Sequence, residues 1–168
     1  MEKNNTQKIS FRFAEKKDVP LILKFIKGLA EYEKASELVT ATEELLEEWL
    51  FKKERAEVLF LLVSGKEAGF ALFFQSFATY PGRGGIYIDD LYIHPEYRGY
   101  GYGREFLKKL AQITTERGGT RMEWLCLNWN PSIDFYKSMG GKALSTCTTF
   151  RLEDESLLAL LNDERSVT

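Results

Sequence analysis

The run Arg98-Gly99-Tyr100-Gly101-Tyr102-Gly103 sets glycines at alternate positions in a turn. Glycine lets the backbone come close to an anion and present consecutive N–H groups to it. A helix starting there would add the positive end of its dipole, and together these meet the needs of a pyrophosphate. A plain strand-to-helix turn explains the same glycines equally well. No Gly-Lys-Ser/Thr follows, so the run is not a Walker loop. A dinucleotide fingerprint normally lies in the first βα unit of its fold, whereas three other expected strands precede this turn.

Two acids, Asp89 and Asp90, interrupt the apolar stretch 86–93. In a regular strand one would face each side of the sheet. A carboxylate in such a strand demands a partner. That partner is either internal, in an ion pair or at an exposed edge, or it is a ligand. In the second case the acids would recognise an ammonium group and relay its proton away, directly or through water. The single histidine, His94, precedes Pro95 and has no cysteine or carboxylate at ligand spacing, so it reads as a solvated loop residue and no metal is expected.

The elements that must position these residues follow from periodicity. Residues 9–13 alternate as a strand. Asp18 can cap a helix with Pro20 in its first turn, and Leu21, Ile22, Phe25, Ile26 and Leu29 recur at helical spacing. Thr40 and Glu43 suggest a capping box before a helix carrying Leu45, Leu46, Trp49 and Leu50. Strands are predicted over 58–63 and 68–74, joined by the hairpin residues 64–67. A loop over 80–85 leads to the strand 86–93, the glycine turn, and a helix with Phe106, Leu107, Leu110 and Ile113 on one face. Gly118-Gly119 ends that helix, and 121–127 reads as a strand. Asn130-Pro131 starts a short helix that stops at Gly140-Gly141. Two short strands within 142–152 and a helical tail over 156–161 complete an order β-α-α-β-β-β-α-β-α-β-β. The strand-turn-helix-strand segment predicts one right-handed parallel crossover in an otherwise antiparallel sheet. The fold class is therefore α/β (α+β), with a mixed, mostly antiparallel sheet and flanking helices.

At 168 residues, with 44% apolar and 29% charged, the chain reads as one globular domain with a real core. The net charge of −2, without a basic stripe, argues against a nucleic-acid partner. The longest apolar run, 58–63, is far too short to span a bilayer, so no membrane partner is expected. The amino terminus MEKNNTQKIS has no apolar segment and is not read as a secretory signal. Cys126 and Cys147 do not make a disulfide framework and are read as reduced residues of a cytoplasmic protein.

The glycine turn matches the Q/R-x-x-G-x-G/A signature of the GNAT acetyltransferases, and the element order resembles their fold. IKGLAEYE (26–33), YIDDLYIHPEYRGYGYG (87–103) and NWNPSIDFYKSMG (128–140) are similar to the diamine (spermidine/spermine) and thialysine branch. The resemblance spans about residues 9–161. It implies acetyl-CoA as co-substrate, a small cationic amine as substrate, and a homodimer whose active sites border the partner chain.

Residue by residue, it implies that the backbone of Leu91, Tyr92 and Ile93 holds the acetyl group and pantetheine. Arg98, Gly99, Tyr100, Gly101, Tyr102, Gly103 and Arg104 would wrap the pyrophosphate, mostly by backbone. Asn130, Pro131 and Ser132 would line the other side of CoA, and Tyr136 would protonate the departing thiolate. A phenol with a pKa near 10 can donate to a thiolate whose acid has a pKa of about 8.5 if the site helps. Outside that context Tyr136 is as readily a packed aromatic on a short helix. Tyr32 and Glu33 match the region that holds the distal cation, and Asp89 and Asp90 the acids that take the ammonium and its proton. Asp89 stands where the branch usually has glutamate; the shorter side chain favours a water-mediated role. Arg83 and Phe150 occupy positions where polyamine acetylators of the branch carry an acid and a tryptophan, which predicts weaker handling of long polyamines. Two alternatives stay open: a GNAT enzyme for another amine, such as an aminoglycoside or a protein N-terminus, and a non-catalytic acyl-CoA-binding module.

Overall fold

A computed structural model describes residues 7–162. The first six residues of the polar amino terminus lie outside the described residues. The chain falls into two compact units, the first ending at Leu127 and the second beginning at Asn128.

The first unit is built on a sheet of five strands in the order β1-β2-β3-β4-β5: β1 (Ile9–Phe13), β2 (Glu57–Val63), β3 (Lys66–Ala78), β4 (Arg83–Ile93) and β5 (Met122–Trp124). β1 to β4 pair antiparallel, and β4 pairs parallel with β5 across a crossover through helix α3 (Tyr102–Glu116). Helix α1 (Val19–Tyr32) and helix α2 (Glu43–Leu46), which continues as a π-helix over Glu47–Lys52, fill the connection between β1 and β2.

Alternation in the strands assigns each apolar side chain to a face. Phe60, Phe70 and Tyr92 join Ile22 and Phe25 of α1 and Leu46 and Leu50 beyond it in one core. On the other face Phe11 meets Phe106 of α3 with ring centroids 5.4 Å apart. The hairpin between β2 and β3 turns at Ser64 (φ 50°) and Gly65 (φ 81°), the left-handed pair that a two-residue turn requires.

Some expected elements differ. Asp18 stands at the N-cap of α1, but its side chain makes no cap bond there: the carboxylate accepts from both Arg12 guanidinium nitrogens at 2.7 and 2.9 Å and from the Glu15 N–H at 2.8 Å. A bidentate charged pair outweighs a single cap bond. The cap of α2 is Thr42, whose hydroxyl accepts from Leu45 N–H at 3.3 Å, rather than Thr40. The strand expected over 121–127 is confined to Met122–Trp124. The two strands expected within 142–152 do not form; that stretch carries no regular element and no described strand pairs with it.

The second unit contains α4 (Ser132–Ser138) and α5 (Glu155–Leu161). The N-cap of α4 is Pro131 rather than Asn130, whose side-chain oxygen accepts from Ser132 N–H at 2.9 Å, and Gly140 (φ 90°) leaves the helix in a conformation that favours glycine.

Candidate active site

The middle of β4 is not a regular strand. Ile88 pairs with Phe73 and Asp90 with Leu72, so consecutive residues of β3 face alternate residues of β4 and Asp89 is left between them as a bulge. Directly paired residues project from the same face of a sheet. Ile88 therefore lies with Phe73 on the α3 face. Asp90 lies with Leu72, two residues along from Phe70, on the α1 face. The bulge shifts the phase by one residue and carries Asp90 to the side that α1 covers. Asp89 is exposed and Asp90 is partly buried.

The bulge also shapes what lies beside it. The parallel ladder ends at Ile88↔Trp124, where the bulge begins. From Asp89 on, β4 has no ladder with β5, which opens the sheet beside Leu91, Tyr92 and Ile93. This accounts for the short β5 and for the exposure of Leu125 and Leu127.

Glu33 is the residue on which α1 ends. It is partly buried, and burial pushes its carboxyl up. Burial first, then the charge of Asp89, then that of Glu33 push the Asp90 carboxyl up to about 7. The Cys126 thiol, just beyond β5, is likewise pushed up, by burial and then by Glu33. The end of α1, the bulge of β4 and the segment after β5 thus share one electrostatic environment. Sequence reasoning had no signal for Cys126, because its link to Glu33 spans most of the unit.

At the end of β4, Gly99 (φ 84°) and Gly101 (φ 78°) take the left-handed conformation, and Gly101 is the N-cap of α3. An L side chain at such a position costs roughly 1–2 kcal/mol. A Cβ built on either glycine meets nothing within 4 Å, so open space lies in front of the turn. Together with the first-turn N–H groups of a 15-residue helix, this fits a pyrophosphate. The Arg98 side chain turns the other way. Its Nε donates to Ile93 O at 2.8 Å, and its guanidinium lies over the Tyr32 ring, 4.4 Å from the centroid. Arg98 therefore ties the turn to the end of β4 and to α1. Tyr102 is 2% exposed and stacks on Tyr100, and Tyr92 is buried against Phe25, so both can meet a ligand only through backbone. Arg104 is exposed on the first turn of α3.

The comparisons with known proteins agree with this geometry. The profile of the acetyltransferase (GNAT) family matches residues 25–140. The chain belongs to this family. It is 34% identical to the bovine (Bos taurus) thialysine N-epsilon-acetyltransferase, over 90% of this chain and 96% of that protein. It is 26% identical to the L-ornithine N5-acetyltransferase of Arabidopsis thaliana, over 89% of this chain and 86% of that one. Among solved structures, an integron cassette protein from the mobile metagenome of V. cholerae superposes with a TM-score of 0.76 and 25% identity, covering 92% of this chain and 98% of that one. The protein is an acetyl-CoA-dependent N-acetyltransferase.

In this GNAT acetyltransferase, the first unit brings together Tyr32, Glu33, Asp89, Asp90, Leu91, Tyr92, Ile93 and the turn Arg98 to Arg104. Asn130, Pro131, Ser132 and Tyr136 belong to the second unit. There Tyr136 is partly buried on α4, with its ring 5.3 Å from that of Phe135. Arg83 opens β4 opposite Ala78, six residues before Asp89 and hence about 20 Å from it along an extended strand. At that distance its charge is screened from an amine at Asp89 within the same chain. Among the described residues, no group of three or more His, Cys, Asp or Glu could hold a metal, and no helix is long and apolar enough to cross a membrane.

Proposed function

We propose that this acetyltransferase transfers acetyl from acetyl-CoA to a primary amine of a small cationic substrate: a diamine, a polyamine or a lysine-like amino acid. The observation that carries this reading is the group of three carboxylates, Glu33, Asp89 and Asp90, beside the opened strand. An uncompensated acidic group of this kind suits a ligand with more than one positive charge. The substrates for which the relatives are named, thialysine and ornithine, carry two amino groups and support the same class.

In this reading the amine attacks the thioester directly in a ternary complex. The backbone of Leu91, Tyr92 and Ile93 holds the acetyl and pantetheine portion, and the turn from Arg98 to Arg104 holds the pyrophosphate. Asn130, Pro131 and Ser132 line the far side of CoA. Asp89 and Asp90 take the ammonium and its proton, with Asp89 passing it on through water. Tyr136 gives a proton to the leaving thiolate; the NWNPSIDFYKSMG motif supports that role. The protein works in the cytoplasm as a homodimer. The exposed apolar side chains of the second unit, with Phe150 at 92%, support a partner that covers them.

Matched mono- and dicationic amines test the substrate class. The dication is expected to show a kcat/KM at least about ten-fold higher, as one extra charge-assisted hydrogen bond gives. Equal values would oppose the reading.

A further inference from the structure

We propose that Asp90, rather than Asp89, is the residue that takes the proton from the incoming ammonium, with Glu33 tuning it from the end of α1. This rests on the reading that the chain acetylates a cationic amine.

The geometry begins with the bulge. In an unbroken strand Asp89 would share the α1 face with Tyr87, and Asp90 would lie on the α3 face with Ile88. The register places Asp90 opposite Leu72 instead, on the face that holds Phe70 and Tyr92 under α1. The inserted residue is Asp89, which stays in solvent. A carboxylate left in bulk water competes with solvent for the ammonium and is poorly placed to take its proton. A carboxylate withdrawn from water beside two other negative charges holds a proton far better, and the three groups that act on it are known. From β4 it faces Asp89, from α1 Glu33, and the β3 residue opposite it is the apolar Leu72. On the β5 side the ionisable neighbour of Glu33 is Cys126, whose thiol is kept protonated and adds no charge. Arg98 is bound to Ile93 O and lies over the Tyr32 ring, and no described cation acts on Asp90.

The step balances as follows. The substrate ammonium transfers one proton to the Asp90 carboxylate, which becomes a neutral acid. The freed amine nitrogen forms a bond to the thioester carbonyl carbon, and the carbon–sulfur bond breaks. The thiolate takes a proton from a donor, and the second nitrogen proton replaces it there. Asp90 returns its proton to solvent past Asp89. The net products are the N-acetyl amine, CoA thiol and one proton.

The test is the pH dependence of kcat/KM for the protein, with two diamines whose own pKa values differ. A limb that stays put between the two amines belongs to the protein. In the wild type it is expected near pH 7, rising with pH as Asp90 ionises. Asp90→Asn should remove this limb and lower kcat/KM at neutral pH by about 10²-fold or more. Asp89→Asn should keep the limb but move it to lower pH, because the charge of Asp89 also holds the Asp90 proton. Loss of the limb in Asp89→Asn with retention in Asp90→Asn would overturn the assignment. Glu33→Gln, which leaves the β4 register untouched, should move the limb to lower pH by removing a like charge. An unmoved limb in that variant would also overturn it, whether or not Asp90→Asn folds. A wild type that releases no CoA with any amine would instead defeat the substrate reading on which this rests.

Discussion

Ile88 and Asp90 stand two positions apart on one strand yet project from opposite faces of the sheet. Their partners, Phe73 and Leu72, are consecutive residues of β3, and Asp89 is the residue that makes up the difference. The bulge thereby brings a carboxylate to a half-buried position, and from it on β4 has no ladder with β5, which leaves Leu91 to Ile93 unpaired with that strand.

A buried acid of this kind costs stability once it ionises. The folded state holds the Asp90 proton up to about pH 7, whereas an unfolded chain releases it near the usual carboxylate range. Its contribution to stability therefore falls as pH rises from about 4 to about 7 and stays low above that. Asp90→Asn should be more stable than the wild type at pH 8, by on the order of a few kcal/mol, or roughly 4–10 °C in Tm. The gain should shrink toward zero near pH 4. Thermal melts at both values check this; a gain independent of pH would assign the effect to packing instead.

Gly101 combines a left-handed φ with open space in front of it. Gly101→Val is expected to strain or reshape the turn and to weaken acetyl-CoA binding about ten-fold or more. Calorimetry with acetyl-CoA reads this directly, and NADH should not bind to either protein. NADH binding to the wild type more tightly than acetyl-CoA would refute the pyrophosphate assignment for this family.

The features that local chemistry decides were legible in the sequence. The alternation in β1, the Ser64-Gly65 hairpin, the glycine turn and the apolar stripe of α3 each depend on residues within a few positions of one another. The bulge was not legible, because the register of β4 is set by β3 and nothing within YIDDLYI marks Asp89 as the extra residue. The same long-range cause shortened β5, whose last expected residues lose their partner where β4 leaves the ladder. Arg98 read as part of the anion turn by spacing. Its side chain is claimed by Ile93 O and the Tyr32 ring, contacts that exist only once α1 and β4 are packed. The strands expected within 142–152 had suitable residues but find no ladder among the described strands.

Glu33 is expected to set the preference for a second charge. Glu33→Gln should raise KM for a dicationic amine by about ten-fold or more, since a hydrogen bond to a charged group is worth roughly 1.5–3 kcal/mol. A monocation should be affected less. Equal increases for both substrates would show that Glu33 acts only through solvation of the helix end.

Tyr136→Phe keeps the ring beside Phe135 and removes one donor. The variant should fold and bind acetyl-CoA nearly as before but lose about 10²–10⁴-fold in kcat. A melt and a steady-state kcat at saturating amine separate this from a packing role. A loss below about five-fold with an unchanged melt would remove Tyr136 as the acid and favour a water chain.

The most direct measurement is release of free thiol from acetyl-CoA by the wild-type protein, with and without a panel of amines. Release is expected to depend on amine, and thialysine, ornithine and short diamines should compete well with spermidine. Acetyl-CoA binding without thiol release from any amine, or a clear preference for aminoglycosides or peptide N-termini, would contradict the assignment to small cationic amines.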